Sequence, residues 1–217
     1  MKQPLKVAVL VENHPYDVIS FQKMLDSLEG CRCYVQPIDL FVQDEVNRDS
    51  YDVVLWYNMN WNEPEPGSVL RRYMEEHIGK TGQGIVLLHH ALLTFQGWPL
   101  YTQVCGLSDR GGDHFRFHQN ETVRQHILPA DHPITAGMED FTVVDETYSI
   151  GEPDQDGNTV LITTDNPSGV HNIAWVRRYG SSRVFCYASG HDNAVYADPN
   201  FRALLRRGLF WAAGAQA

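Results

Sequence analysis

Short apolar runs and helix-spaced repeats alternate along the first hundred positions. Leu5–Val11 is an apolar, β-branched run that stops at Glu12-Asn13-His14-Pro15 and predicts a strand. Val18, Phe21, Leu25 and Leu28 recur at helical spacing, so Asp17–Leu28 predicts an amphipathic helix ended near Gly30. Arg32–Pro37 and Tyr51–Tyr57 read as strands, and Ser68–His77 as a helix stopped by Gly79 and Gly82. Ile85–Leu88 is continuously apolar, as a strand buried on both faces would be. It ends in His89 and His90, and a helix over Leu92–Val104 is expected next. Strand–helix alternation of this kind predicts a central, mainly parallel sheet with right-handed crossovers.

After residue 104 the pattern changes. Cys105–His118 is Gly-rich and charged and reads as a long loop. Glu121–Leu128, Phe141–Tyr148 and Thr159–Thr164 read as strands, and Asn172–Arg178 with Arg183–Ala188 as a hairpin about Tyr179-Gly180-Ser181-Ser182. Asn200–Ala213 predicts a last helix with Phe201, Leu204, Leu205 and Leu209 on one face. No linker or repeat interrupts the 217 residues, which are read as a single domain, 1–217.

A chain 43% hydrophobic and 20% charged is globular. A net charge of −10 argues against nucleic acid or an anionic membrane surface as partner. The four cysteines make no CxxC pair and no disulfide framework, and the first apolar run is too short for a signal peptide, so a cytoplasmic protein with reduced thiols is expected. Oligomeric state is left open, a homo-oligomer included.

The chemistry is expected where the strands end, because ligands of open α/β sheets bind beyond the carboxyl ends of the strands. Four polar clusters share that rim: Glu12-Asn13-His14, Asn58 to Asn62, His89-His90, and Gly190-His191-Asp192. The strand-turn-helix layout at His89 resembles a nucleophile elbow that carries no serine or cysteine. Asn13, His14, Asn58, Asn60, Trp61, His90 and Asp192 are the expected substrate contacts, since paired amides bind hydroxyls and an indole offers a flat apolar face to a polyhydroxylated ligand such as a sugar. His114 and His118 lie four apart in the Gly-rich loop, and Glu146 closes an apolar strand. Histidines with one carboxylate have the residue types for general acid/base work or for a divalent metal such as zinc.

Several segments together resemble one known family. Gly84-Ile-Val-Leu-Leu-His-His-Ala91, Asp131-His-Pro-Ile-Thr135, Asp145-Glu-Thr-Tyr148, Trp175 through Tyr179-Gly180, Arg183-Val-Phe185, Gly190-His191 and Gly208-Leu-Phe-Trp-Ala-Ala-Gly214 are similar, in order and over nearly the whole chain, to ThuA-like (trehalose-utilisation) proteins. The resemblance implies a class I glutamine amidotransferase-like fold, a flavodoxin-like three-layer sandwich. It also implies a link to disaccharide and 3-keto-sugar metabolism. Under it His89 takes the elbow and His191 the place of the late triad histidine, while Cys105 and Cys186 lie elsewhere. Glutaminase chemistry needs a thiolate at the elbow and is not expected. The expected catalytic group is His89, His118, Glu146 and His191, with His132 secondary because Pro133 biases it to an extended turn conformation. Three functions follow: proton transfer on a sugar or keto-sugar (isomerisation or elimination), non-catalytic sugar binding, and metal-dependent hydrolysis.

Overall fold

The structure, a computed structural model, describes residues 3–128 and 131–216. Among the described residues nine strands form one sheet. Its first half is β1 (Leu5–Glu12), β2 (Cys31–Gln36), β3 (Val53–Asn58) and β4 (Gly84–Leu88), with β9 (Ser182–Tyr187) beside β4. All neighbours in the order β2-β1-β3-β4-β9 run parallel. Every residue of β3 and β4 is buried, so both faces of the sheet are covered there. The carboxyl ends of β1, β3, β4 and β9 therefore open on one rim.

Beyond β9 the sheet continues antiparallel through β8 (Asn172–Tyr179), β7 (Thr159–Thr164), β5 (Arg116–Ile127) and β6 (Phe141–Ser149). Strand β5 pairs with β7 only over Gln125–Ile127. The rest of the β5–β6 ribbon projects past the sheet and folds back over the rim, where Asp145 meets Gly190 and His191. Burial along β6 shows the change: residues alternate inside and outside from Phe141 to Asp145, and Glu146, Thr147 and Tyr148 are then all buried.

Helices α1 (Val18–Asp26), α2 (Ile38–Gln43) and α3 (Val69–Glu76) fill the crossovers of the parallel half. Helix α4 (Pro99–Cys105) follows β4, and α5 (Asn193–Ala197) and α6 (Pro199–Ala212) follow β9. In α6 the buried residues Phe201, Leu204, Leu205, Gly208, Leu209 and Ala212 make one stripe against β4 and β9. Gly208 lets the helix approach Phe185 so closely that a Cβ would lie 2.3 Å from its ring.

Two expectations change, and two short helices are added. The helix after β4 starts at Pro99, because a proline fits the first helical turn and not the interior, and His89–Leu93 form a 3-10 turn instead. Strand β5 begins at Arg116, so His118 lies in a ladder and not in a loop. Helices α2 and α5, six and five residues long, are too short to show a hydrophobic period.

Candidate active site

His89 sits at the elbow with φ +54°, a left-handed conformation uncommon for a residue with a Cβ, and is fully buried. The strained turn aims the imidazole along the rim. Its Nδ1 lies 2.7 Å from the Ala188 carbonyl oxygen, which can only accept, so Nδ1 carries the proton and Nε2 is the free acceptor. Around Nε2 stand the Tyr148 hydroxyl at 2.5 Å, His191 Nδ1 at 3.2 Å and Glu146 Oε2 at 3.3 Å. His191 Nδ1 is also 3.3 Å from Glu146 Oε2. Three groups from β4, β6 and the turn after β9 thus converge as expected, and Tyr148 joins them.

The electrostatics follow from this crowding. Burial opposes the charge on Glu146, but the neighbouring His89, then His191 and Tyr148, outweigh it and hold the carboxyl down at about 2. Burial, then the charge of Glu146, pushes the Tyr148 hydroxyl well above its ordinary range, so it stays protonated and donates. Burial and the neighbouring His89 lower His191, which favours its neutral form at pH 7. Burial and other imidazoles likewise lower His14 and His90.

An open cleft of about 170 Å³ leads to the centre, lined by His14, Met59, Trp61, Phe115, Phe117, Gln119, Glu146 and Tyr148. It is smaller than the roughly 300 Å³ at which drug-sized pockets begin, so a compact ligand fits best. Trp61 and Phe117 stand 42% and 56% exposed at its mouth. Trp61 packs edge-on against Phe115, which in turn packs on Tyr148.

His118 does not join the cluster. It is exposed, facing away from the cleft, because Phe117 and Gln119 occupy the other side of β5 and successive strand residues alternate faces. Gln119 takes the place expected for it, with Nε2 3.3 Å from Glu146 Oε1 and 3.5 Å from His191 Nε2. His114 pairs with Asp109 at the surface. His132 packs on Trp211 and accepts from the Ile134 amide, which makes it part of its own turn.

The expected substrate contacts divide. His14 and Trp61 line the cleft. Asn13 is exposed with φ +57°. Asn58 and Asn60 bond each other, Thr94 and Glu12, which ties the ends of β1 and β3 to the elbow turn. His90 is fully buried behind His14, its ring 4.2 Å from that of His14 and 4.3 Å from that of Tyr57. The Asp192 side chain caps α5 through the Ala194 amide. Sequence reading missed Tyr148 and Gln119. Tyr148 shares a strand face with Glu146 two residues away, a signal that was available; Gln119 carried none.

Cys105 and Cys186 are fully buried, and burial raises both thiols, so neither can serve as a nucleophile at the rim. His89, Glu146 and His191 are also the group among the described residues whose donor atoms could surround a metal ion. Their separations of 3.2–3.3 Å are close to the edge, about 3.3–3.4 Å, of a tetrahedron with zinc–nitrogen distances near 2.0–2.1 Å. No helix among the described residues is long and apolar enough to cross a membrane.

Solved structures share this architecture. A ThuA-like protein from Parabacteroides merdae superposes with a TM-score of 0.76 at 18% identity, over 99% of this chain and 92% of that one. Another ThuA-like protein, from Bacteroides uniformis, gives 0.68 at 19% identity, over 98% and 93%. A β-galactosidase from Bacillus circulans sp. alkalophilus gives 0.62 at 15% identity, over 98% of this chain and 31% of that one. At these identities the likeness concerns the fold alone. No curated protein matches the sequence. The family model described as trehalose utilisation matches residues 18–212, and the chain belongs to that family, ThuA.

Proposed function

We propose that this protein is an enzyme of carbohydrate metabolism that moves a proton on the carbon beside the carbonyl of a neutral sugar or keto-sugar. The convergence of His89 and His191 on Glu146 and Tyr148, which line a small, half-aromatic cleft, carries this reading. The family's link to trehalose utilisation supports the substrate class.

With Nδ1–H of His191 donated to the ionised Glu146, its Nε2 lone pair is left on the side of Gln119. That nitrogen is the base. It takes the proton from carbon, the C–H electron pair forms the C=C bond of an enediolate, and the carbonyl π pair moves to oxygen. The Tyr148 hydroxyl, kept protonated and held at rest by its hydrogen bond to His89 Nε2, turns that proton to the developing oxygen. Return of the proton to the former carbonyl carbon, with the proton of the adjacent hydroxyl passing to the former carbonyl oxygen, gives isomerisation. Expulsion of a leaving group on the next carbon gives elimination. Trp61 and Phe117 present apolar faces to the C–H face of a sugar ring, and His14 and Gln119 reach its hydroxyls.

The donor spacing supports a second reading, metal-dependent hydrolysis, in which His89 Nε2, His191 Nδ1 and Glu146 Oε2 hold a divalent cation such as zinc. Such an ion would polarise a carbonyl oxygen or lower the pKa of a bound water. The two readings need opposite tautomers of His191. Incubation with a panel of 3-keto-sugars in D₂O, followed by ¹H NMR and paired with metal analysis, separates them. Deuterium incorporation by metal-free protein supports proton transfer; hydrolysis that stops with chelator supports the metal. Ligand binding with neither reaction would leave a sugar-binding protein. A cytoplasmic location fits the four free thiols.

A further inference from the structure

We infer that Asp145 is a positioning residue: its carboxylate sets His191 against Glu146, and so fixes the base relative to the group that orients it. The catalytic meaning of this inference rests on the proposed function, but the geometry does not.

Asp145 is 3% exposed and adjoins Glu146 in β6, on the opposite face of the strand. Both oxygens are fully used. Oδ2 accepts the Ser189 hydroxyl and the Gly190 amide at 2.8 Å. Oδ1 accepts the His191 amide at 2.9 Å and the Glu146 amide at 2.9 Å. Four donors with no basic side chain in contact stand where a buried carboxylate would otherwise need a cation. One oxygen atom therefore binds the backbone of both residues whose side chains meet at 3.3 Å.

The turn is gripped from the other side as well. The Tyr57 hydroxyl lies 2.9 Å from the Gly190 carbonyl oxygen and 3.2 Å from that of His191, and the Tyr196 hydroxyl lies 2.9 Å from the latter. The peptide group linking Gly190 and His191 is thus held by its N–H on Asp145 and by its C=O on Tyr57. Gly190 has φ +129°, which an L side chain rarely adopts, so the turn bends here in a way that a glycine permits. A packing role alone would not need this arrangement: an apolar residue at 145 would fill the space, but it would leave three amides and a hydroxyl without an acceptor.

The test is Asp145→Asn, with Asp145→Ser as a second variant. An asparagine oxygen can serve one of the two donor pairs, and its NH₂ then faces the other pair. The readouts are the ¹H–¹⁵N ring correlations of the histidines and the steady-state constants for a 3-keto-sugar. In the wild type, His191 should show one fixed tautomer with the proton on Nδ1. In either variant it should average between tautomers, while His89, held by Ala188, keeps its own. Where the wild type turns over, kcat should fall about 10–100-fold, the loss usual when an orienting partner is removed, with KM unchanged within about twofold. Wild-type His191 signals and kcat in a folded variant would overturn the inference. So would failure of both variants to give a cooperative melt, which would make Asp145 a folding residue. If the wild-type protein is inert to every keto-sugar, the functional reading fails, and the His191 tautomer alone decides the role of Asp145.

Discussion

The two halves of the sheet supply the candidate site in different ways. The parallel half contributes His89, directly after β4, and His191, in the turn that follows β9, with the backbone deciding where the side chain goes. The antiparallel ribbon contributes Glu146, Tyr148, Gln119, Phe115 and Phe117, and it reaches the rim only because it leaves the sheet after Gln125–Ile127 and curls back. A residue that ends a parallel strand can be placed from sequence with little else known. A residue on a projecting ribbon is placed by twist, bulge and alternation, and a shift of one residue exchanges its face.

That contrast can be broken from the ribbon side. Glu146→Gln should be the most damaging ribbon substitution. It replaces the charged acceptor that orients His191 with a neutral amide between two imidazoles, one end of which now donates. Turnover should fall by roughly 10²–10⁴-fold, the share usual for general acid–base groups, and the melting temperature should show whether the fold survives. Tyr148→Phe comes next. Loss of one donor to a developing oxyanion typically costs about 10²–10³-fold in kcat, with KM nearly unchanged in a Michaelis–Menten series.

A smaller effect sharpens the comparison. Gln119→Ala should reduce kcat/KM by about 2–10-fold, corresponding to one hydrogen bond of roughly 0.5–1.5 kcal/mol. His118→Ala, on the outer face of the same strand, should leave it unchanged. The reverse ranking would mean that the ribbon sits in the other register when substrate is bound.

The smallest expected effect concerns the clasp where the ribbon joins the sheet. His126 donates to Asp140 at 2.8 Å and to Asp165 at 2.8 Å, and those hydrogen bonds raise its pKa. Its contribution to stability is complete below the unfolded imidazole value of about 6.5 and fades as pH rises through the higher folded value. The clasp is solvent-exposed, so the slope should be shallow and further flattened by salt. Melting temperatures from pH 6 to 9 for the wild type and His126→Ala would show it, the variant lacking the decline.

What the sequence revealed follows the same division. The apolar run Ile85–Leu88 ending in His89, and Arg183–Ala188 followed by Gly190-His191, specified both the strands and the rim, because a strand buried on both faces has no polar alternative. Glu146 was legible as the acid closing an apolar strand, although its path to His89 was not. The choice of His118 failed because β5 starts at Arg116 and a bulge follows His118. Neither has a hydrophobic signature in Arg-Phe-His-Gln-Asn. Asn58 and Asn60 read as ligands for hydroxyls because an amide's partners cannot be read from its position; in the fold the Asn58 amide donates to Asn60 and Thr94 and the Asn60 amide to Glu12, and of the two side chains only Asn58 Oδ1 is left buried without a partner.

The most direct test of a shared centre is deuterium exchange into 3-keto-sugars in D₂O, followed by ¹H NMR, with wild-type protein beside His89→Ala. His89 touches Tyr148, His191 and Glu146 at once, so its loss should remove all detectable exchange. The melting midpoint should correspond to a destabilisation of only about 1–3 kcal/mol, as for most single substitutions. Exchange at the wild-type rate by a folded His89→Ala protein would contradict the assignment of these four side chains to one active site.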